Sequence, residues 1–328
     1  MKKRNYTFDY IRVIAIFAIL LCHFLILGGI NDGVGRYLGG GGNMVFFSLP
    51  ALLYGMKWEE GGKEPFKVKT FLTRRIIRIG SSLWPFLLVI LLLYIVFDIS
   101  FSKVNYVVNF VFGGYLAKIP RNEHLWFLTI LMVVYIEIVL LSRYKLSWPI
   151  QCLLLLLCFV GFVIMEMIGI PGHSILTLGA CAVMFLNARQ FLDKIMSMNI
   201  LVCIVGFIVT NVISIYLFDK GLFDTNRIAA FTLLLISGLT WLVFSLRIIP
   251  SYPNKIVFGG SNISYEMYLV HYFILHGLIR NVFDISVGIT PCFLILLVES
   301  AVCAWLLNMV SKMVSFNLEV AAKHIRLL

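Results

Sequence analysis

An arginine and a histidine lie in the first apolar segment of the chain, and their spacing places both on one side of a helix. Arg12 and His23 are eleven residues apart in a run from Asp9 to Phe24 with few other polar side chains. Eleven steps of about 100° make three turns plus about 20°, so the two side chains share a face, about 16 Å apart along the axis. Histidine is the usual general base near neutral pH, and an ionisable group inside a membrane helix marks a functional site by default. The pair therefore predicts a polar path into a bilayer that ends at a base.

Both residues also have a structural interpretation. Arg12 keeps its proton, so apolar surroundings must supply a carboxylate, a phosphate or water. Asp9, one turn earlier, is the nearest carboxylate, and a purely structural Asp9–Arg12 pair is one hypothesis. The other is that Arg12 meets an anionic cofactor that enters from the cytoplasm. For His23, the alternative to a base is a helix-packing residue bonded to a serine or a carbonyl oxygen.

A second basic site precedes the third apolar segment. Arg75 and Arg78 are three residues apart and share a helix face. Two guanidinium groups side by side suit phosphate oxygens. Basic residues at the inner end of a membrane helix are also the ordinary topological pattern, so the phosphate hypothesis depends on Arg12 and His23 beside it.

Two later segments carry aromatic and imidazole side chains. Tyr265, Tyr268 and His271 recur every three residues, which places them broadly on one side of a helix, facing the interior of a bundle. A hydrogen-bonded packing stripe is the alternative. His124 and Trp126 open the fourth apolar segment at its predicted outer end, where Trp126 suits an interfacial anchor and His124 the lining of an outer vestibule.

The elements that must position these residues are membrane helices. The chain has 328 residues, of which 61% are hydrophobic and 13% charged, whereas a soluble domain has about 25% charged residues. The net charge of +11 would suit nucleic acid. We exclude that partner because lysine and arginine cluster in short loops between apolar runs, as the positive-inside rule expects.

The apolar runs number ten, and the charge pattern orients them. With the N-terminus inside, 19 lysines and arginines fall on the cytoplasmic side and 7, including Arg280, on the other. We expect the first segment to be retained, because it is too long for the apolar core of a signal peptide. The sequence therefore predicts an all-α, polytopic transmembrane bundle with about ten spans, both termini cytoplasmic, in a single domain over residues 1–328. The predicted spans are 11–30, 43–56, 80–98, 124–141, 148–168, 174–187, 199–218, 228–246, 263–282 and 288–314.

Two connecting regions and the cysteines complete the prediction. Gly39 to Gly42 are expected to form an external turn before the second span. Residues 99–123 form the longest outer loop, which could be an interfacial helix or a re-entrant segment, and its aromatic residues suit either a membrane-interface connector or a substrate platform. The seven cysteines lie in apolar runs without CxxC spacing, so no disulfide framework and no metal site is expected. No serine-hydrolase elbow, P-loop or dinucleotide fingerprint occurs in the sequence.

Four segments, taken in order, resemble the acyltransferase-3 family of bacterial integral membrane acyltransferases, which includes many polysaccharide O-acetyltransferases. Asp9, Arg12 and His23 resemble the family's opening helix, with ten residues between its Arg and His. Arg75-Ile76-Ile77-Arg78 resembles its Arg-x-x-Arg motif. His124-Leu125-Trp126-Phe127-Leu128, and the run from Ser264-Tyr265 through Tyr268-Leu269 to His271, resemble two later helices. The resemblance covers essentially the whole chain. One departure is that Pro50-Ala51 stands where the family commonly has Ser-Gly.

The resemblance implies a membrane O-acyltransferase that uses acetyl-CoA as the acyl donor and no metal. Its expected catalytic residues are His23, Arg12 and Asp9, with His23 a general base or a transient acyl carrier. Arg75, Arg78, Arg12, Tyr265, Tyr268 and His271 would bind the cofactor, and His124 and Trp126 the substrate. The acceptor would be a hydroxyl of a cell-surface glycan or a lipid-linked sugar, and the location the bacterial plasma membrane among membrane lipids.

Two other functions are compatible with these residues. A transporter or glycan-export permease would also place Arg and His within the bilayer, although no internal repeat or pair of broken helices is evident. A noncatalytic sensor or assembly subunit is the third hypothesis. The sequence leaves open whether the protein forms a homodimer.

Overall fold

A computed structural model describes residues 5–249, 251–279 and 288–325, and within these residues it contains helices and no strand. Arg280, which the charge count placed outside, lies beyond the described residues, as do Lys2, Lys3, Arg4 and Arg326. The helices are α1 (Thr7–Leu27), α2 (Asp32–Glu60), α3 (Val68–Val96), α4 (Lys103–Phe110), α5 (Trp126–Leu141), α6 (Trp148–Met167), α7 (His173–Leu186), α8 (Ala188–Ser197), α9 (Ile200–Asp219), α10 (Leu222–Thr225), α11 (Arg227–Ile248), α12 (Lys255–Ile274) and α13 (Ile289–His324).

Seven helices in the described part of the chain are long and apolar enough to cross a membrane, or up to eight if α7 and α8 are counted as one span. α7 and α8 are bent by 84° relative to each other, so the predicted sixth span forms one arm of a bent pair. The predicted second span, 43–56, lies within the longer, 29-residue helix α2. The polytopic helical bundle is confirmed, and the count of ten spans stays a prediction.

The chain divides into two compact units. The first unit comprises Met1–Phe66 and Glu137–Ser261, and the second comprises Lys67–Ile136 and Asn262–Leu328. Within the first unit, α2 contacts α1, α7, α8, α9 and α11. α2 is thus the central helix of this unit.

The glycines at positions 39 to 42 lie within α2, so the predicted external turn is wrong. They hold α2 close to its neighbours, because a side chain at position 39, 40 or 42 would overlap them. A Cβ on Gly39 would lie 2.4 Å from Cys22 Sγ, and one on Gly42 would lie 2.9 Å from the Ala15 carbonyl oxygen. Small residues at membrane helix interfaces allow such close approach. Tertiary packing therefore outweighs the poor helix propensity of glycine at these positions.

We predict that Gly42→Ala destabilises the protein by about 1–3 kcal/mol, because the added methyl group meets a backbone atom of α1. Gly206→Ala is the matched control: it lies within α9, and a Cβ there would meet nothing within 4 Å. Replacing that glycine should stabilise the helix by about 1 kcal/mol. Unfolding in lipid nanodiscs measures both variants. Equal stability of Gly42→Ala and wild type would contradict the close α1–α2 contact.

In the second unit, α3 packs along α13 and supports α4. Trp84 Nε1 of α3 donates to the Phe110 carbonyl oxygen over 2.9 Å, and the Tyr106 hydroxyl of α4 donates to the Leu87 carbonyl oxygen. Burial raises the pKa of Tyr106 to about 12, so the phenol stays neutral and keeps its proton for this bond. The predicted outer loop therefore contains a short helix that is fastened to α3.

Candidate functional site

Arg12 is held by a buried carboxylate on its own helix. Asp9 is 2% exposed, and its Oδ1 atom lies 3.6 Å from Arg12 Nη1. Ser261 Oγ donates to the same oxygen over 2.8 Å. The i, i+3 pair predicted from the sequence is thus formed, and it leaves the Arg12 side chain one-third exposed (33%). Asp9 is a positioning residue in this geometry, since its carboxylate orients the guanidinium group.

His23 lies on the same helix as Arg12, sixteen positions after the first residue of α1. At 1.5 Å per residue it is about 24 Å from the start of the helix, past the middle of a ~30 Å hydrocarbon core. Its side chain is half-buried. The adjacent Cys22 is buried against Gly39 of α2, and one residue corresponds to about 100° around the helix, so His23 lies to one side of that contact. A half-buried imidazole of this kind can accept a proton from a hydroxyl group.

The two arginines of α3 differ in their surroundings. The Arg75 guanidinium lies 5.9 Å from the ring centroid of Phe71 and 5.8 Å from that of Tyr135. These aromatic faces stabilise the cation and fix its direction. Arg78, one turn later, is exposed. A half-buried and an exposed guanidinium group on the same helix face can both contact phosphate oxygens.

Residues far apart in the sequence form an imidazole–tyrosine cluster (His124, Tyr268, His271 and Tyr272) in the second unit. The His124 ring centroid lies 5.1 Å from that of Tyr268, 5.2 Å from that of His271 and 4.8 Å from that of Tyr272. The Tyr268 hydroxyl donates to the His124 carbonyl oxygen over 2.5 Å. His124 precedes α5 in a 3₁₀ turn, Glu123–Leu125, and this bond fastens the turn to α12.

Hydrogen bonding fixes which nitrogen of His271 carries the proton. His271 is fully buried, and its Nδ1 atom lies 3.1 Å from the Met267 carbonyl oxygen. Because a carbonyl oxygen only accepts, Nδ1 is the donor, and a neutral imidazole presents Nε2 as an acceptor. A buried acceptor nitrogen next to a second imidazole is suited to proton transfer or to a polar ligand.

The other two predicted site residues of this region lie apart from these contacts. The Tyr265 hydroxyl donates to the Ile79 carbonyl oxygen of α3 over 3.2 Å, so it joins α12 to α3. The half-buried Trp126 indole is 6.3 Å from the Phe127 ring. The three-residue spacing on α12 therefore brings Tyr268 and His271, but not Tyr265, to His124.

A buried polar network in the second unit was not singled out from the sequence. Glu266 is fully buried, and its Oε1 atom accepts from Ser82 Oγ over 2.8 Å and from Asn308 Nδ2 over 3.1 Å. Ser82 Oγ also lies 2.8 Å from Ser311 Oγ, which is 3.0 Å from Ser81 Oγ. This Glu266 network links α3, α12 and α13. Glu266 follows directly after the Ser264-Tyr265 motif, and this position was the one signal in the sequence that could have pointed to the network.

The candidate residues are divided between the two units. Asp9, Arg12 and His23 belong to the first unit, and the α3 arginines, the imidazole–tyrosine cluster and the Glu266 network belong to the second. Among the described residues, no group of three or more His, Cys, Asp or Glu side chains has an arrangement that could hold a metal ion.

Comparison with known proteins identifies the kind of protein that carries these residues. A family model described as an acyltransferase domain, acyltransferase-3, matches residues 5–309. Neither the curated proteins nor the solved structures gave a match. The matched range includes every candidate residue described above except Ser311 of the Glu266 network, together with all of the helices long enough to cross a membrane except the end of α13. The chain therefore belongs to the acyltransferase-3 family and is a multi-pass membrane acyltransferase.

Proposed function

We propose that the protein is an O-acyltransferase that moves an acetyl group from acetyl-CoA to a hydroxyl of a cell-surface glycan or a lipid-linked sugar in the bacterial plasma membrane. The observation that carries this proposal is the α1 arrangement. Arg12, oriented by buried Asp9, and His23 share one face of a single membrane helix at different depths. The family supplies the acyl-transfer chemistry, and these residues supply a cation and a base for it.

His23 acts as the general base in this mechanism. It takes the proton of the acceptor hydroxyl while the hydroxyl oxygen attacks the thioester carbonyl. The carbon–sulfur bond then breaks, and the CoA thiolate leaves and takes up a proton. In the alternative, covalent mechanism, the imidazole nitrogen first receives the acetyl group and then passes it to the hydroxyl. Both routes yield one ester and one free thiol, and neither requires a metal.

We assign donor binding to the α3 arginines. Acetyl-CoA carries several phosphates, and guanidinium groups bind phosphate oxygens in a bidentate manner. Tyr265, Tyr268 and His271 on α12 are the other donor-binding candidates, and His124 with Trp126 the acceptor-binding candidates. The buried position of His271 and of His124 suits a ligand that displaces water.

We predict that Arg78→Gln raises the KM for acetyl-CoA about tenfold while kcat changes little, because an exposed phosphate contact contributes to binding more than to the chemical step. Lys69→Gln is the matched control, since Lys69 is also exposed on α3 and lies nine residues before Arg78, about 180° away around the helix. Initial rates in proteoliposomes over a range of acetyl-CoA concentrations measure both variants. The same KM in the two variants would contradict a phosphate contact at Arg78.

The experiment that tests the proposed function compares cells with and without this protein. Alkali-labile acyl groups on surface glycans and lipid-linked sugars are measured by mass spectrometry, with the wild-type chain restored on a plasmid as the control. We expect loss of a single acetyl mass in the deletion strain and its return on complementation. An unchanged acyl profile in cells that make the glycan would overturn the proposal. Loss of the whole glycan from the surface would favour export instead.

A further inference from the structure

A large cavity in the first unit lies apart from α1. It has a volume of about 770 Å³, within the usual range of about 300–1,000 Å³ for ligand pockets. Its walls come from α6, α7 and α11, and its rim from the loop after α2, the loop before α6, and α8. We call it the lysine-rimmed cavity, after Lys63, Lys145 and Lys194.

Its charged lining is entirely cationic. The three lysines are the charged residues that line it, and within the described chain none of their ammonium groups pairs with a carboxylate. Glu59 and Asp193 line a neighbouring pocket together with Lys63 and Lys194, and within the described chain no ion pair joins these carboxylates to the lysines. Arg189 pairs with Glu60 over 3.3 Å, and its backbone N–H donates to Glu59 over 2.9 Å. Three ammonium groups that make no ion pair within the described chain fit an anion such as a phosphate group.

The loop after α2 fixes one of these cations. The backbone N–H of Lys63 donates to the Trp58 carbonyl oxygen over 2.9 Å, and Lys63 adopts a left-handed φ of 62°. Its Nζ atom lies 5.4 Å from the Trp58 ring centroid. Trp58 itself is 2% exposed, and its indole N–H donates to the Ser142 carbonyl oxygen over 3.1 Å. Lys63 is therefore positioned at the rim by a rigid support.

Below the rim the cavity is apolar. Leu155 of α6 lies seven residues beyond Trp148, about 10 Å deeper along the helix. Leu235 and Leu239 of α11, with Val183 and Met184 of α7, also line the cavity. Trp148, at the start of α6, is 61% exposed, as is usual for an anchor at the membrane interface. The cavity thus combines a cationic rim at the interface with an apolar slot in the hydrocarbon region.

We propose that the lysine-rimmed cavity binds an anionic phospholipid of the membrane leaflet on the side predicted to be cytoplasmic. The phosphate of the headgroup contacts Lys63, Lys145 and Lys194, and one acyl chain enters the slot between α6, α7 and α11. A soluble phosphate compound would use the rim but leave the apolar slot empty. This inference does not depend on the acyl-transfer proposal, because none of the residues assigned to that reaction lines the cavity.

The test measures lipid retention by native mass spectrometry on the full-length protein purified in detergent, titrated with phosphatidylglycerol or phosphatidylcholine. We expect phosphatidylglycerol to bind more tightly. Each lysine near a lipid headgroup contributes about fivefold in affinity, so Lys63→Gln/Lys145→Gln/Lys194→Gln should weaken phosphatidylglycerol binding about a hundredfold. Phosphatidylcholine binding should not change. The control variant Lys69→Gln/Lys255→Gln/Lys312→Gln removes three lysines on the same predicted side that do not line the cavity.

A second variant tests the slot without changing the charge. Leu239→Trp fills the apolar part and should also weaken phosphatidylglycerol binding. Equal affinity in the cavity triple variant and the control triple variant would overturn the proposal, as would equal retention of the two lipids by the wild-type protein. Displacement of phosphatidylglycerol by glycerol 1-phosphate or acetyl-CoA would show a soluble phosphate ligand instead. Preferential retention of a polyprenyl phosphate would show a carrier lipid and would equally overturn the assignment.

Discussion

His23→Ala is expected to lower acyl transfer by about 10²–10⁴-fold, the usual contribution of a positioned general base. Alanine removes the proton acceptor while leaving a good helix former within α1. His23 is half-buried, and alanine adds no side-chain volume at this position, so the variant should insert and fold normally. Transfer of radiolabelled acetyl groups to alkali-labile product, measured in proteoliposomes at matched protein amounts, gives the ratio. His324→Ala, at an exposed position in the last turn of α13, controls for the loss of an imidazole group.

The same variant separates the two roles proposed for His23. When acceptor is omitted, a transient acyl carrier should leave radiolabel on the wild-type protein after rapid acid quenching and none on His23→Ala. A general base should leave no label on either protein. Full transfer activity in a correctly folded His23→Ala protein would remove His23 from the mechanism.

Glu266→Ala is expected to destabilise the protein by about 3 kcal/mol, since the buried donors of Ser82 and Asn308 would lose their acceptor. For a protein of this size the midpoint of thermal unfolding should fall by about 4 °C. Glu266→Gln keeps an acceptor oxygen in place and should cost about 1 kcal/mol. Glu319→Ala, which removes an exposed carboxylate from α13, is the control and should change little. A Glu266→Ala protein as stable as this control would contradict the bridging role of the carboxylate.

The expected effect of Glu266→Ala extends to donor binding. The Glu266 network joins α3, which carries Arg75 and Arg78, to α12, which carries Tyr268 and His271. Losing it should loosen both helices, so the KM for acetyl-CoA should rise together with the loss of stability. In Glu266→Gln the KM for acetyl-CoA should stay close to the wild-type value, because the bonds to Ser82 and Asn308 can still form.

The features that could be predicted from the sequence depend on short-range regularity. Hydropathy indicated an all-helical membrane bundle, which is confirmed. The helical repeat placed Arg12 and His23 on one face of α1, and three-residue spacing predicted the Asp9–Arg12 pair. The family assignment rested on four such local motifs and is confirmed by the match over residues 5–309. The catalytic and binding roles of these residues stay predictions.

Tertiary structure alone decided the contacts between distant segments. The run from Gly39 to Gly42 has the composition of a turn, yet close contact with Cys22 and Ala15 makes it part of a helix. His124 meets His271 although 147 positions separate them in the chain, and Glu266 finds its partners on two other helices. Three lysines, from two separate loops and from α8, line the rim of one cavity. A sequence determines its own periodicity, hydropathy and charge over a few turns, whereas which polar groups share a buried space depends on how helices pack, and that is settled only when the whole chain has folded.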